Sequence, residues 1–447
     1  MTTITERLAC FAVSRTLDFP QGLIEKARDA FVDSLGVAVG GISDPTCHIA
    51  YGSVAKTVAA KSAYWARGTK GTAEDAAFVN SIQIHVLDFD DSALSLRGHP
   101  SSTMMSTAIA VGQEVGASGV EAMQAYAVGL QVATRVAKWL TPKHYLNGWH
   151  TTVTAGIFGC TAIAARLLKL DEKQMRNAFG LAASQAGGLT RNFGSMAKSF
   201  HTGHASRCAI ITAKLASAGM TADENIFDGP KGFLALYSGA PNDVDASLAD
   251  DLGKVWELLD PGIYVKKWAC CYAIHRPVAG LLELQAKAGF NASQVRSVSV
   301  GFLPGAAHPL NHFDPKNGLQ AKFSIEYCVA AALVHGSIGV EVFEDEFVLR
   351  EDLQAFQKKV HRFELPHSGV FNGLTGYNDL VVDTDLGRFE YRIDRTPGSP
   401  DWPLTPAEQD RKFLECAQAE IGEQRALEFL ARAKGILALP DISVLFD

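Results

Sequence analysis

Small residues set the tightest limit on how this chain can fold. One helical stretch follows another at 104–115, 120–140, 151–168 and 172–186, each rich in alanine and leucine. Gly112, Gly129, Ala133, Gly156, Gly159 and Ala162 recur along them. Helices with so little side chain can approach one another closely, because interaxial distance follows the residues at the contact. The spacing therefore predicts a tightly packed multi-helix body. Segment 22–39 adds apolar residues at helical spacing and ends in V-A-V-G-G, the glycines expected past a C-cap. Segment 72–86 begins with Thr72 three residues before Asp75, a variant of the capping box.

The pattern changes after about Pro261. V-R-S-V-S-V-G-F at 295–302 alternates with period two and reads as a strand, as do 359–365, 379–383 and 388–393, the last two joined by a hairpin connection at 383–387. Segment 324–335 is helical between them. Helix then returns: T-P-A-E at 405–408 is a capping box with proline at N1, ahead of 409–421 and 425–434. The expected fold is mainly α. A large all-helical domain (1–265 and 401–447) carries an inserted, smaller α+β domain (266–400).

Composition excludes several classes. With 47% hydrophobic and 20% charged residues, the 447-residue chain can bury a large core. A net charge of −7 offers no basic patch for nucleic acid or an anionic membrane. Eight scattered cysteines, without CxxC or Cys/His zinc spacing, point to reduced thiols. The N-terminus lacks signal-peptide character, and no apolar run approaches the ~18 residues of a membrane span. A cytoplasmic location is expected.

Polar chemistry is concentrated in five blocks. The first, 85–102, holds Asp88, Asp90, Asp91, Ser92, Arg97 and His99. If the preceding helix continued, Asp88, Asp91 and Ser92 would share one face, and the break at Gly98-His99-Pro100 would return a histidine over it. The second, H-Y-L-N-G-W-H-T at 144–151, is a polar turn ahead of a helix N-terminus suited to an anion. The third, 187–203, contains Arg191, Asn192, Lys198 and His201. The fourth, 266–276, contains Lys266, Cys270-Cys271 and His275; the fifth, 320–327, contains Lys322. Lys, Arg and His dominate four of the five, which suggests a positively lined cleft for a small anionic polycarboxylate.

Each block also has a plainer reading. A lone loop histidine is usually a surface or capping residue. G-S-M-A-K-S at 194–199 lacks both the glycine before lysine and the preceding strand of a phosphate loop. His201 and His204 have no carboxylate or thiol within sequence reach, so no metal is expected there.

Several segments together resemble a known family. They are A-R-D-A-F-V-D-S-L-G (27–36), A-A-F-V-N-S-I-Q-I-H-V-L-D-F-D-D (76–91), G-H-P-S (98–101), H-Y-L-N-G-W-H-T-T (144–152), A-S-Q-A-G-G-L-T-R-N-F-G-S-M-A-K-S-F-H-T-G (183–203) and A-K-F-S-I-E-Y-C-V-A-A-A-L (321–333). They are similar to the 2-methylcitrate dehydratase superfamily (MmgE/PrpD), which also contains cis-aconitate decarboxylase and iminodisuccinate epimerase. The resemblance implies an all-helical domain with an inserted lid, a homodimer, and a metal- and cofactor-free site in the cleft between domains. It places Asp88, His99, His150, Lys198 and Lys266 in that site.

Two departures stand out. Ser92 replaces the threonine that follows D-F-D-D in the dehydratases and the decarboxylase. Cys271 replaces a histidine of the decarboxylase. Decarboxylation is therefore the least comfortable reaction on this view. The short Asp91-to-Gly98 connection and the modest length look more like the epimerase branch.

The expected function is thus a cofactor-independent, two-base epimerase of an iminodisuccinate-like aminopolycarboxylate. The alternatives are a lyase (a 2-methylcitrate-type dehydratase or a cis-aconitate decarboxylase-like enzyme) and an inactive helical binding protein. Carbanion character beside a carboxylate has to be spread by fixed cations and donors. Lys198, crowded by other cations, is expected to pair as base with Tyr145 or His99 across the substrate. Asp88 would orient His99 or His150, while Arg191, Lys266, Ser92 and His275 would bind the substrate.

Overall fold

The computed structural model describes residues 2–140, 142–238, 246–366 and 375–446. It is mainly α. Helices α1 (Ile4–Val13), α2 (Leu23–Gly40), α3 (Ala73–His85), α4 (Pro100–Val115), α5 (Gly119–Leu140), α6 (Gly156–Leu167), α7 (Glu172–Ala183) and α8 (Ala197–Ser217) form the body. Thr72 caps α3 by accepting from the Asp75 N–H at 3.2 Å.

The small-residue prediction has a direct geometric counterpart where α5 crosses α6. A Cβ on Gly129 would lie 2.7 Å from the Gly159 carbonyl oxygen, and one on Gly159 would lie 2.6 Å from that of Gly129. Any side chain there would push the helices apart. The same closeness leaves α4, α5 and α6 buried along nearly all their length, so their alanines are core residues.

Past residue 266 come α9 (Tyr272–Ala288), β1 (Val295–Phe302), α10 (Ile325–Val334), β2 (Val360–Glu364), β3 (Asn378–Thr384) and β4 (Gly387–Ile393). The four strands form one sheet in the order β2-β1-β3-β4, with β1 parallel to β2 and the other pairs antiparallel. Along β3 burial alternates strictly, which is why its sequence pattern was readable. The β3–β4 hairpin closes at Thr384↔Gly387, and Gly387 takes φ +132°, a conformation that favours glycine. Helix α9 lies against β3 and β4.

Helices α11 (Pro406–Ile421) and α12 (Glu423–Lys434) then return to pack on α2. Thr405 and Glu408 form the expected reciprocal capping box, with Pro406 in the first turn. All eight cysteines are unpaired. Among the described residues no helix is long and apolar enough to cross a membrane.

Two helix boundaries differ from the sequence expectation. Helix α4 starts at Pro100, four residues earlier than its periodicity suggested, with His99 at the N-cap position. The stretch 151–168 is interrupted: Thr151–Thr154 makes a single turn with His150 at its N-cap position, and Ala155 separates it from α6. Both histidines of the anticipated site thus occupy the non-helical residue at a helix start, where the side chain is free to turn away from the axis.

Candidate active site

Helix α3 ends at His85, and the chain does not continue helically through the acidic block. Asp88 takes φ +51°, a left-handed conformation that an aspartate tolerates. Asp88 and Asp91 therefore do not share a helix face. The turn separates three buried carboxylates. Asp88 meets Lys198 and Lys266. Asp90 meets His85, with Nδ1 to Oδ2 at 2.8 Å. Asp91 turns inward to accept from the Ser101 N–H at 3.1 Å and from its hydroxyl at 2.5 Å.

Three lysines from distant parts of the chain hold this loop by its backbone. Lys322 donates to the Leu87 carbonyl, Lys266 to that of Asp88 at 2.7 Å, and Lys412 of α11 to that of Phe89 at 2.9 Å. Lys266 also lies 3.2 Å from Asp88 Oδ2, and Lys198 Nζ is 2.6 Å from Oδ1. Burial alone would raise the Asp88 pKa, but Lys198 and Lys266 outweigh it and hold the carboxyl well below the usual range. Asp90 is likewise depressed, by His85 and His99 against the cost of burial. Asp91 has no cation beside it, and burial lifts it to about 7.

Lys198 donates to Asp88 and to His85 Nε2, the latter at 2.9 Å. With Asp90 on Nδ1, His85 is a link in an Asp90–His85–Lys198 chain. Two of the three ammonium protons of Lys198 are so used, leaving one for a ligand. Its nearest charged partner is a carboxylate. The expected crowding of Lys198 by other cations does not describe its surroundings.

His99 is fixed from the other side of the loop. Its Nδ1 lies 3.0 Å from the Asp91 carbonyl, which can only accept, so Nδ1 carries the proton. Nε2 is then the bare nitrogen, 3.9 Å from Asp88 Oδ1 and beyond hydrogen-bonding reach of it. Burial holds this imidazole neutral, well below its ordinary pKa. The carbonyl of Asp91, not the carboxylate of Asp88, sets the tautomer.

His150 forms the opposing wall. Its ring stands edge-on to Phe193, with 4.9 Å between centroids, and its Nδ1 lies 3.2 Å from His201 Nδ1. Its buried Nε2 has no hydrogen-bond partner among the described residues. Burial, then the charge of Lys198, keeps this ring neutral too.

Asp88, His99, His150, Phe193 and Lys198 line one cleft together with Ser92, Arg97, Tyr145, Thr152, Cys271, Tyr272 and Phe323. A two-residue ladder, Ser92↔Tyr264 and Ala93↔Ile263, ties the acidic loop to the segment that carries Lys266. The Arg97 guanidinium lies over the Tyr145 ring at 5.9 Å. Of the residues anticipated from sequence, the fold brings Asp88, Ser92, His99, Tyr145, His150 and Lys198 to this cleft, with Lys266 directly behind Asp88.

Two anticipated binders are elsewhere. Arg191 is exposed on a short 3-10 turn outside the cleft. His275 is wholly buried, 3.4 Å from the Cys270 carbonyl and stacked on Tyr272. Nor is the crevice uniformly positive, because Asp88 and Asp90 balance Lys198 and Lys266. Residues not anticipated include His85, Asp90, Thr152, Phe193 and Tyr272. His85 and Asp90 lay within the singled-out block, and their alternation with apolar residues in I-H-V-L-D-F-D was the available signal.

His85, Asp88, Asp90 and His99 present donor atoms within 4.8 Å of one another, a set that could chelate a cation. Lys198 already bonds to Asp88 and His85, and both His85 nitrogens are engaged. A cation there would have to displace an ammonium group. This donor set is built as an ion-pair network and does not fit a metal.

A mainly helical body with a buried Lys–Asp–His cleft defines the class of molecule. The chain belongs to the MmgE/PrpD family: the MmgE/PrpD N-terminal domain matches residues 6–244 and the C-terminal domain residues 268–434. It is similar to cis-aconitate decarboxylase of Mus musculus, 25% identical over 439 residues that cover 95% of this chain and 88% of that protein. The Homo sapiens protein of the same name is 24% identical, covering 95% and 89%. That of Aspergillus terreus is 24% identical, covering 97% and 92%. These relatives carry the name of a lyase along almost their whole length, and they overturn the expectation of an epimerase. The connection length and chain length behind that expectation say nothing about which bond is broken.

Proposed function

We propose that this protein is a lyase that decarboxylates a small unsaturated polycarboxylate of the cis-aconitate class, at the cleft between Asp88, His99, His150 and Lys198. The observation that carries this reading is the full-length similarity to decarboxylases, joined to a cleft that holds N–H donors beside a buried, charge-balanced floor. Breaking the bond to a departing carboxylate leaves an electron pair on carbon. That pair is delocalised through the double bond towards a remaining carboxylate, where fixed donors stabilise it. The third N–H of Lys198, the Tyr145 hydroxyl and His150 are placed for this role. Decarboxylation then consumes one proton, which Lys198 delivers to carbon, and CO2 leaves. On this reading residues 266–400 act as a lid over the helical body, and the protein works as a homodimer.

The test is incubation with cis-aconitate, following CO2 release and a five-carbon unsaturated dicarboxylate by NMR. Turnover that disappears in Lys198→Ala supports the proposal. Absence of CO2 with an intact, folded protein would refute it.

A second reading, a hydro-lyase of the 2-methylcitrate type, is favoured by one feature. His99 Nε2 is an unprotonated nitrogen facing the cleft, as proton abstraction from carbon requires. Cys271, which stands where the decarboxylases have histidine, cannot supply acid–base chemistry near neutrality, since burial pushes its thiol to about 12. A new ultraviolet-absorbing alkene from a hydroxy-polycarboxylate, without CO2, would identify this activity.

A further inference from the structure

His150 reaches the cleft with an unpartnered Nε2, and what that atom can do depends on which ring nitrogen holds the proton. Three contacts in a row bear on this. His150 Nδ1 faces His201 Nδ1 at 3.2 Å, and His201 Nε2 faces the Asn192 side-chain amide nitrogen at 3.5 Å. An amide NH2 can only donate, so His201 Nε2 accepts. A neutral imidazole that accepts at Nε2 carries its proton on Nδ1. That proton is then given to His150 Nδ1, which must accept, and the proton of His150 is left on Nε2.

Both rings are held neutral, His201 at about 4, so one N–H is shared between them. Burial is the first cause in each, reinforced by neighbouring groups: Lys198 faces both rings, and His85 and His204 add to the effect on His201. Asp88 and Asp90, the nearby carboxylates of the site, are engaged by Lys198 and His85.

We propose that His201, oriented by Asn192, is a positioning residue that fixes His150 as a hydrogen-bond donor to an anionic oxygen of the substrate, through the chain Asn192 Nδ2–H to His201, His201 Nδ1–H to His150, and His150 Nε2–H to the cleft. The inference deepens the proposed lyase reading and rests on it for the word substrate. The tautomer itself is independent of that reading. It also divides the work between the two cleft histidines. The Asp91 carbonyl leaves His99 a bare Nε2 that accepts, while His201 leaves His150 a protonated Nε2 that donates. One ring is set as base and the other as donor by the partner behind it.

The sequence placed the pieces in two separate blocks, H-Y-L-N-G-W-H and R-N-F-G-S-M-A-K-S-F-H, without showing that they touch. Backbone contacts now join them, the His150 N–H to the Gly188 carbonyl at 3.0 Å and the Thr190 N–H to that of Gly148 at 2.8 Å. The relay therefore sits on a braced loop pair.

Two variants and one spectrum test it. His201→Phe keeps a ring but removes the donor; His201→Asn places an amide N–H near the former Nδ1. The Phe variant should lose at least about tenfold in kcat with KM changed far less, and the Asn variant should recover most of that loss. Nitrogen-15 NMR of the histidine-labelled full-length protein, with the His150 signal assigned by its loss in His150→Gln, should show the Nε2–H tautomer. In His201→Phe that preference should weaken or vanish. A His150 signal of the Nδ1–H type in the unaltered protein, or equal losses in the two His201 variants, overturns the relay. If the protein turned over no polycarboxylate, the lyase reading would fail, and the spectrum alone would still decide the tautomer.

Discussion

The acidic loop and the His150 wall face each other across one cleft but are built on opposite principles. The loop at 87–91 is charged and ion-paired: three buried lysines hold three consecutive carbonyls, and Asp88 and Asp90 each face a basic group. The wall is neutral, built from imidazole and aromatic rings, and keeps a donor atom unspent. Charge in a buried setting is expensive unless balanced, so the loop is held as a rigid ionic framework. Neutral rings cost less to bury, so the wall can present a polar atom without a partner until a ligand arrives. Rigidity belongs to the floor and reactivity to the groups above it.

The sharpest way to break this contrast is to unbalance the floor. Lys266→Met removes the fully buried ammonium that neutralises Asp88 and holds its carbonyl. Stripping one member from a buried pair costs about 3–5 kcal/mol, so urea unfolding should show a loss of that order together with loss of activity. Lys198→Ala should unfold more easily as well, but by less, because Lys266 still faces Asp88. A Lys266 variant as stable as the parent would show that the ion pairs are dispensable.

Removing a reactive group above the floor should do the opposite. His99→Asn is expected to lower kcat by about 100-fold or more, the usual worth of a positioned acid or base, while the melting temperature moves by only a few degrees. Steady-state kinetics beside a thermal scan separates the two effects. Parallel loss of both would place His99 in the framework.

Titration sharpens the comparison further. Unfolded, histidines titrate near 6.5. Folded, burial holds His144 and His201 to about 4, and His99 and His150 well below their ordinary value. Their contribution to stability is complete above pH 6.5 and is lost as pH falls towards 4. Asp91 works the other way. Its folded pKa of about 7 lies above the unfolded value, so its contribution is full in acid and fades as pH rises through 7. Burial also lowers His85 and His204 and raises Asp33, so six histidines stand against two carboxylates, and net stability should fall on acidification from pH 7 to 4. Asp91→Asn, which retains the contact with Ser101, should make that fall steeper. Unfolding free energies at several pH values decide it.

The smallest effect is expected at Arg191. It is exposed outside the cleft, so Arg191→Ala should change stability by less than about 0.5 kcal/mol and leave kcat/KM within about twofold. A large loss there would mean that the turn carrying it folds over the cleft during turnover.

Much of the fold was legible before any coordinates. Period-two patterning marked β1, β3 and β4; Thr405-Pro406-Glu408 marked the start of α11; and the small residues marked the α5–α6 crossing. Local signals failed where a residue serves something distant. The periodicity puts the start of the helix after His99 at 104, but Ser101 and Ser102 already belong to it. Inside the fold they meet the Asp91 carboxylate and the His99 carbonyl. The shared face expected for Asp88 and Asp91 failed because left-handed backbone at one aspartate has no periodic signature. Lys412 was read only as part of a helix, although it reaches the Phe89 carbonyl across 323 positions.

The sequence by itself determined what can be stated locally: periodicity, caps, the scarcity of large side chains along the central helices, and the blocks in which reactive groups cluster. Only the tertiary structure decided which of those groups meet, which carboxylate pairs with which cation, and which nitrogen of each cleft histidine holds its proton. The reason is physical. A helix or a turn depends on neighbours a few residues away, whereas tautomer and charge state depend on the low-dielectric surroundings and on single partners brought close from anywhere in the chain.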